Sequence, residues 1–139
     1  MRALLFWLVA GVSWAPAAVE GQESLAQTAE RARRMWMAHD MSGLVGSSDT
    51  LRVQLPGVGR SASLSPAQAI RVLLRYVEGA EELSLDLRAI RSAGPGHGYV
   101  EARRRYVVGG TRDEREETVF LGYRHVGGEW RLREVRVVR

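Results

Sequence analysis

The chain has 139 residues, no cysteine, and 20 basic against 16 acidic side chains, a net charge of +4. Without cysteine it can hold neither a disulfide nor a cysteine-ligated zinc. Every basic residue is arginine, and so small a charge excess reads as a solvated surface, with anionic glycans or lipid headgroups as the partners it could favour.

The N-terminus carries the three parts of a secretory signal. Arg2 supplies a positive charge, Ala3 to Trp14 is apolar except at Gly11 and Ser13, and Ala15-Pro16-Ala17 offers small residues to a signal peptidase. The apolar core is well short of the roughly 20 residues that span a bilayer. Cleavage is therefore expected, after Ala17 or after Gly21, with no transmembrane helix left behind. The expected organisation is a signal peptide over 1–21 and one domain over 22–139, exported to the periplasm or the medium.

Glu23 to His39 predicts an amphipathic helix, with Leu25, Ala29, Ala32, Met35 or Trp36, and His39 at helical spacing. Residues 40–45 predict a tight turn or one further helical turn. Leu51 to Leu55 alternates as a half-buried strand and stops at Pro56-Gly57. Ser65-Pro66 predicts a helix start, since serine caps free amides and proline suits the first turn. That helix should run to about Glu78, burying Ala69, Ile70, Leu73, Leu74 and Val77, with Gly79 as its stop.

The remainder predicts strands. Glu82 to Ala93 places Leu83, Leu85 and Leu87 on one face and Ser84, Asp86 and Arg88 on the other. Tyr99 to Val108 follows a glycine-rich turn, and 109–117 reads as a long charged connection. Thr118–Val126 and Glu129–Val138 pair around the hairpin dipeptide Gly127-Gly128. In the last strand, a bulge between Leu132 and Val135 keeps Trp130, Leu132, Val135 and Val137 on one face. The fold class is α+β: a curved antiparallel sheet of about five strands packed on two to three N-terminal helices as a cone-like roll.

These elements resemble the nuclear transport factor 2-like (NTF2-like), or cystatin-like roll, superfamily. The segments that carry the likeness are the first helix, Leu55-Pro56-Gly57, Ser65-Pro66-Ala67-Gln68-Ala69, and the strand Gly127 to Leu132. Val53 to Gly57 followed by Ser65 to Leu74 is similar to a bacterial exported family, domain of unknown function 4783 (DUF4783). The superfamily holds isomerases, dehydratases and epoxide hydrolases beside non-enzymatic modules, so fold does not carry function. Its isomerase-like members place a catalytic acid on the first strand before a proline. Leu55 stands there instead and cannot move a proton, so the chain reads as uncertain but more readily not an enzyme.

No catalytic residue, metal site or cofactor is read from the sequence. His39, His97 and His125 are scattered, with no carboxylate at ligand spacing. His39 beside Asp40 could line a pocket mouth. Arg103 and Arg105 should share one strand face and pair with glutamates across strands, while Arg104 falls with the apolar set of Ala102 and Tyr106. Turned inward, Arg104 needs a partner such as an acidic ligand or Glu134. The ligand-facing candidates are thus His39, Arg104, Tyr106, Trp36 and Trp130, with Tyr76, Tyr123 and Phe120 as further aromatic surface that more often forms core.

The preferred function is a non-enzymatic binding or assembly module of the cell envelope. It would meet a small molecule or an envelope protein, form a homodimer through the sheet face, and bind no nucleic acid. The alternatives are a small-molecule-binding protein or enzyme using the pocket between sheet and helices, and a binder of anionic surfaces through its arginines.

Overall fold

A computed structural model describes residues 23–59 and 63–139. The expected signal peptide lies outside them. Among the described residues, no helix is long and apolar enough to cross a membrane. The elements are α1 (Leu25–Met37), α2 (Met41–Val45), β1 (Leu51–Gln54), β2 (Ser63–Leu64), α3 (Pro66–Val77), β3 (Ala80–Ser92), β4 (His97–Val108), β5 (Glu114–Val126) and β6 (Glu129–Val138). The sheet has six strands in the order β2-β1-β6-β5-β4-β3. The count exceeds five because the two-residue β2 pairs with β1, and β1 joins β6 in parallel, so the sheet is mixed.

Both long helices start on reciprocal caps. The Ser24 hydroxyl accepts from the Gln27 amide, and Ser65 does the same for Gln68. Each glutamine side chain accepts from the capping serine's own amide. Helix α3 buries Ala69, Leu73 and Val77, but Leu74 remains 39% exposed because it lies off that stripe. Trp36, Leu51, Leu73, Val77, Val100, Val119 and Val135 are among the side chains that fill the space between helices and sheet.

Strand irregularities decide which side chains enter that space. The β5–β6 register jumps so that Gly122 faces Glu134 while Tyr123 faces Leu132. Arg133 is the extra residue, and Leu132, Val135 and Val137 stay buried on one face, as their spacing predicts. Strand β3 departs from the expected alternation. Its register shifts between Glu82 and Ser84, leaving Leu83 unpaired and 43% exposed. Passing one residue changes the parity of the strand, so Glu82 takes the inward place expected for Leu83.

Helix α1 ends in a Schellman turn. The Asp40 amide donates to the Met35 carbonyl at 2.8 Å and the His39 amide to Trp36 at 2.9 Å. The left-handed position, usually glycine, is His39, with φ of 55°. A side chain there costs about 1–2 kcal/mol. His39→Gly and His39→Ala lose the same side-chain contact, but only alanine keeps the backbone cost. His39→Gly should therefore be about 1 kcal/mol the more stable in urea unfolding; equal midpoints would show the turn to be unstrained.

Candidate functional site

The inner face of the sheet carries a buried ionic cluster centred on β4. Arg104 faces Glu117 of β5 across one register and lies diagonally from Glu82, which faces Tyr106. Arg104 and Glu117 are each 1% exposed, and the Glu82 side chain is 3% exposed.

All three guanidinium nitrogens of Arg104 are engaged. Nε donates to both Glu82 oxygens at 3.2 and 2.9 Å, Nη2 to Glu82 Oε1, and Nη1 to Glu117 Oε2 at 3.2 Å. The other Glu117 oxygen accepts from the Tyr76 hydroxyl at 2.6 Å and the Tyr106 hydroxyl at 2.8 Å. Aromatic rings enclose the cation, with Tyr106 at 3.9 Å, Trp36 at 5.4 Å and Tyr76 at 5.6 Å from Cζ. At the rim, His39 Nε2 lies 3.1 Å from Glu82 Oε1, and Arg139 Nε reaches Glu117 Oε1 at 4.0 Å.

Burial alone would lower the Arg104 pKa, but the Glu82 hydrogen bond and both carboxylate charges outweigh it and hold it above the ordinary arginine value. Tyr76 and Tyr106 are pushed up, first by burial and then by their bonds to ionised Glu117. Tyr123 is pushed up mainly by burial. For each, the folded state keeps the proton that the unfolded chain gives up near pH 10. Their contribution is complete below that value and is lost as pH rises above it. Denaturant midpoints should therefore fall steeply from about pH 9.5 to 11.5; a flat profile would exclude the assignment.

Four expected site residues thus come together: Arg104, Tyr106, Trp36 and His39. Trp130 does not join them. It packs edge-on against His125, with ring centroids 4.9 Å apart, at the other end of the sheet. Phe120 lies under the Arg136 guanidinium rather than at the cluster. The partner of Arg104 is not Glu134, which flanks the β6 bulge on the other face, but Glu82 and Glu117. Spacing alone points neither of them inward, because bulge parity hides Glu82 and Glu117 falls in the charged stretch 109–117. Arg103 and Arg105 do share the outer face, where they pair with Glu116 and Glu114.

Arg104 has no vacant donor nitrogen and Leu55 is buried at the end of β1, so the cluster presents neither a free base nor an open anion site. An open groove of about 590 Å³ lies outside it on the α3 flank. Leu55, Leu64 and Val72 supply apolar walls, Arg71 and Arg75 flank them, and Tyr76 connects the groove to Glu117. Among the described residues, no group of three or more His, Cys, Asp or Glu side chains is placed to hold a metal.

No family model matches the chain, and no curated protein matches it. Solved structures do. A ketosteroid isomerase-like protein from Erwinia carotovora atroseptica superposes with a TM-score of 0.68 at 12% identity, covering 86% of this chain and 95% of that one. A DUF4783 family protein from Bacteroides uniformis gives a TM-score of 0.62 at 13% identity, over 79% and 94%. Another, from Bacteroides ovatus, gives 0.60 at 15% identity, over 84% and 96%. With a curved, unclosed sheet packed on its helices, the chain has an NTF2-like fold and resembles the DUF4783 proteins.

Proposed function

We propose that the chain is an exported, non-enzymatic binding or assembly module of the cell envelope. The observation that carries this reading is the closed Arg104 cluster. The groups best placed to hold a ligand inside the cone are committed to one another, and the first strand offers Leu55 where a base would be needed. Function is left to the outer surfaces.

The leader over 1–21 supports export. Expression of the full chain with a C-terminal tag should give an envelope or medium product beginning between Ala18 and Gln22. Full-length chain retained in the cytosol would remove the export half of the reading.

The α3 groove favours a second reading, binding of a small molecule. Apolar walls beside Arg71 and Arg75 suit an amphipathic acid. A thermal-shift series of alkyl carboxylates separates the two. A saturable shift abolished by Arg71→Ser with Arg75→Ser supports the small-molecule reading, and no shift supports the assembly module.

A further inference from the structure

The outer face of the sheet has two unlike halves. Toward the Val108 end of β4, Arg103 and Arg105 are paired with Glu116 and Glu114 in a cross-strand ladder. Such pairs on an exposed sheet neutralise each other and leave little net attraction for a ligand. At the His97 end the pattern breaks. Arg52 of β1, Arg124 of β5 and Arg133 of β6 line one trough of about 340 Å³. Among the described residues, none of these three makes an ion pair, whereas Arg131, next to the same bulge, is shared between Asp49 and Glu129. Glu134 is the one carboxylate on the trough wall, so the lining keeps an excess of positive charge.

Two backbone features shape this trough independently of its charge. The β6 bulge makes Arg133 the extra residue opposite Gly122, and bulges re-aim side chains in this way. Gly122 then leaves the floor open. A Cβ there would come within 3.2 Å of the Glu134 Cβ and 3.3 Å of the Tyr99 ring. Tyr99 therefore passes over the glycine, yet stays 48% exposed. The result is an aromatic ring set beside three unpaired guanidinium groups.

We propose that this trough binds a linear acidic oligosaccharide, with the arginines taking its carboxylate or sulfate oxygens and Tyr99 carrying a sugar ring. Guanidinium forks suit such oxyanions better than single-point cations do. The trough crosses from β2 to β4, a width of roughly 19 Å at about 4.8 Å per strand, so it accommodates a chain of sugars rather than one ion. It is recessed and has a polar lining, which fits a glycan strand and not the flat face of a membrane. This inference does not rest on the cone being closed.

The test is calorimetric titration of the protein with a carboxylated oligosaccharide (oligogalacturonate), a sulfated one (a heparin hexasaccharide) and an uncharged one of equal length. At least one acidic oligosaccharide should bind at low salt, and its affinity should fall as salt rises. Whichever acid binds identifies the source of the oxyanion. Arg124→Ser with Arg133→Ser should weaken binding about tenfold or more. Arg103→Ser with Arg105→Ser, on the ion-paired half, should change it less than about twofold. Tyr99→Ala should weaken the oligosaccharide but leave affinity for inorganic sulfate unchanged. Arg124 and Arg133 are exposed and Arg103 and Arg105 half-buried, and circular dichroism of each variant should match the parent. Equal binding of the uncharged oligosaccharide, tighter binding to anionic vesicles or single-stranded DNA, equal losses in both double variants, or no binding by either acid would each overturn the proposal.

Discussion

Arg104→Ala should lose about 3–5 kcal/mol of stability, enough to leave little folded protein if the parent is ordinarily stable. The side chain is the only cation fully enclosed with the two buried carboxylates among the described residues. Removing it strands Glu82 and Glu117 in apolar surroundings, and the uncompensated charge, rather than the lost contact, dominates the cost. Two further variants distinguish this from loss of packing. Arg104→Lys keeps the charge but cannot fork between two carboxylates, so it should recover only part of the deficit. Arg104→Met keeps much of the bulk without the charge and should recover less than lysine does. Recovery by methionine equal to that by lysine would mean that Arg104 serves only as filler.

Trp36→Ala should cost a comparable 3–5 kcal/mol or so, by a different mechanism. Trp36 is completely buried on the inner face of α1, where its ring forms one wall around Arg104. Truncation opens a cavity that the ionic cluster on one side and the helix on the other cannot collapse to fill. Its indole N–H finds no acceptor among the described residues, so Trp36→Phe removes that donor while keeping most of the ring. Trp36→Phe should therefore cost less than about half as much as Trp36→Ala in denaturant unfolding. Equal losses would locate the stabilising part of Trp36 in its nitrogen.

The sequence made much of this legible, and particular residues show why. The Ser65-Pro66 start of α3 is a local hydrogen-bonding rule and holds without reference to the rest of the chain. The spacing of Leu132 and Val135 encodes the β6 bulge because only an extra residue keeps both inside. Arg104 could be placed inward from its own strand, since β4 alternates without interruption. Glu82 could not. Its side depends on a bulge at Leu83, whose two leucine neighbours at alternate positions mimic a regular strand. Glu117 lies in a run of charges, Asp113 to Glu117, that resembles a loop in isolation. It becomes strand because β4 runs on past it as a partner, with Arg104 directly opposite and Val107 paired with Glu114. Propensity within the segment gives no sign of that. The partners of a buried charge are set by cross-strand register, a property of two segments at once.

The direct test of the closed cone is the exchange of guanidinium protons, measured by NMR on the ligand-free protein at neutral pH and assigned with Arg104→Lys. Arg104 should show separate Nε and Nη protons exchanging far more slowly than those of exposed Arg124, because all three nitrogens donate to buried carboxylates. Exchange as fast as at Arg124 would mean that water reaches the guanidinium, and the cone would then be an open binding site.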